Sequence, residues 1–354
     1  MNSKIVNLQA SVTQRLRNIA REKQASFEVI LRRYAIERLL YRITQSPERN
    51  RFVLKGAMLY TAWVADPFRP TQDLDLLGLG DDAAPAMAEA FRAICQQKVP
   101  DDGLTFDTAS IRADAIRGNQ EYGGVRVRMT AHLGNVRIPV HIDIGFGDAV
   151  TPGIVELTFP ALLDAPAPQL RAYPKETVIA EKFEAIVALG QANSRMKDYY
   201  DLVALSRLFD FDGAVVRNAI AATFERRGTA LPARRPPGLA KAFARDRQKV
   251  VQWTAFVQRE PLLLSPGDLV EVVQEVGLFV MGPGKAARAG KPFTHKWRAG
   301  GPWRAKRIAA GKTDRRRARP KRAKGLTRPA NRSTKEHAQE KRPAPKRRRA
   351  KTPV

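Results

Sequence analysis

Two carboxylates stand two residues apart in Arg69-Pro-Thr-Gln-Asp-Leu-Asp75, in a stretch that continues as Leu76-Leu77 and otherwise has the apolar character of a buried strand. In extended backbone alternate side chains share a face, so Asp73 and Asp75 project together while Leu74, Leu76 and Leu77 supply apolar contacts. Converging carboxylates repel one another. They are tolerated at a solvated strand end or around a divalent cation, and all-oxygen donors suit Mg2+ or Mn2+. For an isolated Asp-x-Asp the solvated strand end is the commoner reason, so the surrounding chain decides between the two.

The elements that must hold this pair are readable from periodicity. Residues 9–45 read as two helices, with Ser11 capping the first and Ser26 the second. Arg51 to Gly56 reads as a strand ending at glycine, and Ala57 to Ala65 as the helix after it. A strand, a glycine and a helix start leave N–H groups open to an anion such as phosphate, and the same order also makes an ordinary strand-to-helix turn. Residues 83–97 read as a helix. Period-two runs follow at 104–110, 125–132 and 136–146, the last two joined as a hairpin by Leu133-Gly-Asn135. Pro139 marks an edge or bulge in the final strand. Asp143 places a third carboxylate there, opposite in phase to Val140, Ile142, Ile144 and Phe146. On its own it fits the solvated face of a sheet equally well.

From Thr177 the period is helical until Gly190, with Lys182 inside Ala180-Glu-Lys-Phe-Glu-Ala. A further helix opens in Asn193-Ser-Arg-Met-Lys-Asp-Tyr-Tyr-Asp-Leu202, where Lys197 and Asp201 stand at i and i+4 and are spaced to pair. Lys182 also suits a snorkelling surface lysine, and Asp198 a partner for the helix-start dipole. Helices are expected over 214–226, 239–257 and 266–279, with Pro236-Pro-Gly238 as punctuation.

Composition separates the chain into a globular part and a tail. The 354 residues carry 62 Lys and Arg against 35 acids, a net charge of +27. Residues 305–354 hold 20 basic and three acidic side chains, or +17, and almost no aliphatic or aromatic residue after Ile308. Such a segment cannot bury enough apolar surface to offset its entropy, so disorder is expected, as a non-specific nucleic-acid arm or a solvated extension. Cys95 is the single cysteine, which excludes an intramolecular disulfide and a cysteine zinc site. The four histidines, at 132, 141, 295 and 337, lack paired spacing. No apolar run is long enough to span a bilayer and no signal peptide is evident, so a cytoplasmic protein without a membrane partner is expected.

Strand with Gly56, helix, strand with Asp73-x-Asp75, strand with Asp143, then helices with Lys182 and Asp198: this order resembles the DNA polymerase beta-like nucleotidyltransferase superfamily. Phe52-Val-Leu-Lys-Gly-Ala-Met-Leu, Arg69 to Gly78, Val140-His-Ile-Asp-Ile-Gly-Phe-Gly-Asp148, Tyr173 to Val187 and Ser194 to Leu202 resemble one branch, the AbiEii/AbiGii toxin family. The resemblance spans roughly residues 5–304. It implies an α/β (α+β) fold: a polymerase-beta-like sheet with flanking helices, then a helical domain and the basic tail. The implied division is 1–50 for N-terminal helices packing on the core, 51–170 for the catalytic core, 171–304 for the helical domain and 305–354 for the tail.

The resemblance further implies a metal-dependent enzyme moving NMP from an NTP to an RNA, such as a tRNA 3′ end, or to a protein hydroxyl. It would act as the toxin of a toxin–antitoxin or phage-defence pair with a cognate antitoxin. Asp73, Asp75 and Asp143 are then the ligands of Mg2+ or Mn2+, with Asp143 also activating the acceptor. Gly56, Ala57, Thr71, Lys182, Arg195 and Lys197 meet the nucleotide, and Asp198 partners Lys182. Many superfamily members have Gly-Gly or Gly-Ser where this chain has Gly56-Ala57. The alternative to an enzyme is a nucleic-acid-binding protein with a degenerate transferase core.

Overall fold

The structure, a computed structural model, describes residues 2–64, 71, 73–116, 123–259 and 262–305. The described residues all fall within one compact unit, Met1–Arg307. Nearly all of the basic tail, together with Arg69, Pro70 and Gln72 of the acidic motif, lies outside the described residues.

Helix α1 (Asn2–Glu22) begins well before Ser11, so that serine is interior to the helix and caps nothing. The apolar spacing at Leu8, Val12 and Leu16 extends backward without a breaker, which lets the helix run to the chain start. Helix α2 (Phe27–Gln45) does start after Ser26, whose side chain makes no capping hydrogen bond. Strand β1 (Phe52–Lys55), the short helix α3 (Met58–Trp63), strand β2 (Asp73–Gly78) and helix α4 (Ala84–Cys95) follow as expected.

Strand β3 (Leu104–Ile116) runs six residues past its expected end. Its register against β4 (Gly124–Leu133) shifts between Asp107 and Arg112, a bulge at which the Asp107 side chain accepts from the Ala109 and Ser110 N–H groups and the alternation that reveals a strand in sequence is broken. A turn at Gly134, φ +58°, returns β4 into β5 (Val136–Phe146). Pro139 disturbs no register with β4, and pairing of β5 with β2 starts only at His141. The proline therefore sits where the strand has a single neighbour, the local edge that a missing N–H requires. Strands β6 (Val155–Thr158) and β7 (Gln169–Ala172) complete a seven-stranded mixed sheet of order β3-β4-β5-β2-β1-β7-β6. Its core side buries Leu54, Leu74, Leu76, Val140, Ile142 and Ile144 against α2 and α4.

Helix α5 (Lys175–Leu189) ends at Gly190, φ +51°, and packs with α6 (Met196–Leu208) and α7 (Gly213–Arg226). The helix expected over 239–257 is two: α8 (Lys241–Arg245) and α9 (Arg247–Arg259). Asp246 is extended between them, ψ 126°, and its side chain accepts from the Lys249 N–H, so it restarts the helix as a cap. Helix α10 (Leu269–Arg288) starts at a capping box of Asp268 and Glu271 and continues past Pro283. Strands β8 (Phe211–Asp212), β9 (His295–Trp297) and β10 (Trp303–Ala305) form a small second sheet over Phe279.

Candidate active site

The acidic pair lies on the sheet face opposite the core. Pairing sets Lys55 of β1 beside Asp75 of β2, Asp75 beside Asp143 of β5, and Asp143 beside Arg126 of β4. Side chains of paired residues share a face, so four strands present one transverse row: cation, carboxylate, carboxylate, cation. Asp73 stands two residues along from Asp75 on the same face, beside His141, whose Nδ1 is 3.4 Å from its Oδ1.

The β1–α3 turn shapes this row. Gly56 has φ +72°, and a Cβ there would lie 2.0 Å from Asp75 Oδ2. The missing side chain at position 56 thus makes room for the Asp75 carboxyl itself, in addition to any close approach of phosphate to the backbone. Burial raises the Asp75 pKa and adjacent Asp143 raises it further, against the pull of Lys55 and Lys197.

Helices α5 and α6 close the other side. Lys182 donates to Asp198 Oδ1 at 2.9 Å and pairs with Asp201 at 2.7 Å. Arg195 Nε donates to Asp198 Oδ2 at 2.5 Å. Burial opposes ionisation of Asp198, yet Lys182 and Arg195 overcome it and hold the carboxyl at about 2. Asp201 is fully buried and also faces Lys182, so two carboxylates hold this interior cation. Thr71 donates to the carbonyl of Asp73 at 3.2 Å, tying the loop to the start of β2.

All ten residues singled out in sequence, namely Gly56, Ala57, Thr71, Asp73, Asp75, Asp143, Lys182, Arg195, Lys197 and Asp198, line one cavity of about 530 Å3. Lys55, Arg126, Glu181 and Arg227 also line it and had been given no role. Lys55 donates to Asp148 at 2.6 Å, and Tyr173 donates to the same carboxylate at 3.0 Å. Although burial disfavours its charge, Glu181 and Asp148 keep the Lys55 pKa raised. Arg227 fastens the end of α7 to α5 through Glu181 at 2.9 Å and Glu184 at 2.8 Å. Lys55 was discoverable from its place before Gly56, and Arg126 from alternation in the hairpin. Arg227 has no sequence signal, since only the packing of α7 on α5 brings it in. A neighbouring lobe of about 550 Å3 shares Lys55, Asp75 and Asp143 and extends over Gly124, Gly145 and Leu189.

Three carboxylates facing one cavity are the right donors for a hard divalent ion. Among the described residues, however, no three of the His, Cys, Asp and Glu side chains converge closely enough to hold one. Asp143 explains part of this: both its oxygens are taken by Arg126, Nε at 2.7 Å and Nη2 at 2.6 Å. The backbone placement fits an ion, whereas the Asp143 side chain is turned to the guanidinium.

The family model described as "Nucleotidyl transferase AbiEii toxin, Type IV TA system" matches residues 38–275. Two crystal structures from Helicobacter pylori are similar in fold at 16% identity: JHP933, TM-score 0.43 over 75% of this chain and 95% of that one, and a protein assigned as a nucleotidyltransferase, TM-score 0.42 over 76% and 100%. At that distance neither bears on activity. A comparison with curated proteins finds no match. No helix among the described residues is long and apolar enough to cross a membrane. The family match covers most of the chain and takes in the sheet row as well as the α5 and α6 residues that face it, and on that ground the chain belongs to the AbiEii nucleotidyltransferase toxins of type IV toxin–antitoxin systems.

Proposed function

We propose that the protein transfers NMP from an NTP to a hydroxyl of an RNA acceptor, with Mg2+ or Mn2+ held by Asp73, Asp75 and Asp143. The observation that carries this reading is the register that sets Asp75 beside Asp143 and puts Asp73 on the same face. A bound divalent ion supplies charge neutralisation for the phosphates and acidifies the attacking hydroxyl. The chain's own residues do the rest. Lys197 and Arg195 attract the triphosphate, and the Gly56-Ala57 backbone offers it N–H groups. Lys182, already neutralised by Asp198 and Asp201, fixes the position of α5 against α6 and so the width of the cleft. In the transfer the acceptor oxygen bonds to the α-phosphorus as the bond to the pyrophosphate oxygen breaks, and Asp143 takes the acceptor's proton.

An RNA acceptor is favoured over a protein hydroxyl by the +17 charge of residues 305–354. The family implies a cognate antitoxin, and toxicity released from it is the setting in which phage defence would operate. Mass spectrometry of cellular RNA after expression tests the reading: 3′ ends extended by added nucleotides are expected. Unmodified RNA alongside nucleotidylated protein would replace the RNA acceptor with a protein one.

A further inference from the structure

We propose that Arg126 is a built-in stand-in for the metal at Asp143, and that nucleotide phosphate draws it away so that the third carboxylate becomes available. The inference rests on the metal reading above. Its basis is geometric: Arg126 stands directly opposite Asp143 in the β4–β5 register and grips both carboxylate oxygens at 2.7 and 2.6 Å. A carboxylate gripped through both oxygens has half of its lone pairs engaged, and the guanidinium charge beside it opposes the approach of a cation. Asp73 and Asp75 both lie close enough to add to the charge that holds the guanidinium in place. In the row across the sheet, Arg126 therefore neutralises the excess negative charge that a divalent ion would otherwise meet.

The latch is also built to open. The Arg126 side chain is 45% exposed, against 25% for Asp143, while its neighbours Val125 and Val127 are buried and anchor the strand. The guanidinium can thus leave without disturbing the core. Arg128, the next residue on that face, is engaged by Asp114 and does not replace it. Arg126 lines the same cavity as Gly56, Arg195 and Lys197, where a phosphate offers the guanidinium a bidentate partner equivalent to the one it leaves. Ion and nucleotide binding are then coupled through one side chain, and the coupling acts equally in both directions.

The test is calorimetric titration of the full chain with Mn2+, alone and with a non-hydrolysable NTP analogue. Arg126→Gln should bind Mn2+ alone roughly five- to twentyfold tighter than the wild type, a range set by a bidentate but half-exposed pair. The nucleotide-induced gain in Mn2+ affinity should shrink correspondingly, and adding Asp143→Asn should abolish the tightening. Arg126→Lys, which keeps the charge and loses the fork, should fall between the two and serves if the Gln variant fails to fold. Equal or weaker Mn2+ binding by both variants, with measurable binding by the wild type, overturns the latch. Absence of Mn2+ binding by the wild type, with or without nucleotide, instead overturns the metal reading on which the latch depends.

Discussion

Replacing Gly56 by Ala should separate catalysis from stability. Two costs apply. The backbone at φ +72° disfavours any Cβ by roughly 1–2 kcal/mol. In addition the new methyl would sit 2.0 Å from Asp75 Oδ2, 2.6 Å from its Cγ and 2.7 Å from its Cβ, so the whole carboxyl must move. Ordinary carbon contacts begin near ~3.5 Å, which makes that displacement about 1 Å or more. A shift of ~1 Å in a reacting group costs on the order of 100-fold in rate. Gly80→Ala is the matched control, because Gly80 has φ +89° with no atom within 4 Å of its Cβ position. Both variants should lose a few degrees in Tm from the shared backbone strain. Initial rates of label transfer from NTP should fall about 100-fold in Gly56→Ala and less than about threefold in Gly80→Ala. Rates for the two variants within threefold of each other would refute the idea that Gly56 exists to admit Asp75.

Three further outcomes are expected. Asp198→Asn leaves two cations short of a buried partner and should cost roughly 3 kcal/mol in denaturant unfolding at pH 7. Because the Asp198 pKa is lowered to about 2, its contribution is complete above the ordinary carboxylate range and is lost as pH falls towards 2. The variant should lack that part of the acid limb, and an unchanged limb would discard the pairing. Glu37 behaves in the opposite sense: burial, only partly offset by Arg38, raises its carboxyl to about 7, so stability is lost as pH rises from about 4.5 to 7. Glu37→Gln should flatten the stability profile over that window by about 3 kcal/mol, and parallel profiles would show that Glu37 stays ionised at no cost. Deleting residues 305–354 should weaken RNA binding at low salt and reduce the dependence of log affinity on log salt, with the two proteins converging at high salt. Identical salt slopes would leave the tail without a role in RNA binding.

Local features of the fold were legible because they carry periodic signals. Alternation at Val140, Ile142 and Ile144 revealed β5, and the acidic pair with its leucines revealed β2. What joins them was not legible, since the pairing of Asp75 with Asp143 links strands that are distant in sequence and leaves no local trace. The resemblance to a family supplied that link for the acidic residues and gave no role to the cations between which they sit. Strand register sets Lys55 and Arg126 at the two ends of the acidic row, and helix packing brings in Arg227. Where expectations failed, a local cue was misweighted: Ser11 suggested a start that the apolar spacing overrode, and Asp246 broke a helix that periodicity alone would have continued. Asp201 has a partner that its i, i+4 spacing does not reveal, the buried Lys182 of α5.

The most direct measurement is transfer of label from α-labelled NTPs to total RNA by the purified full chain with Mg2+ or Mn2+, beside Asp75→Asn. Asparagine keeps the size of the side chain that packs on Gly56 and removes its charge, so folding should persist while transfer falls by at least about 1,000-fold. Transfer by the variant at the wild-type rate would contradict the assignment of the Asp73, Asp75 and Asp143 row as the centre of nucleotidyl transfer.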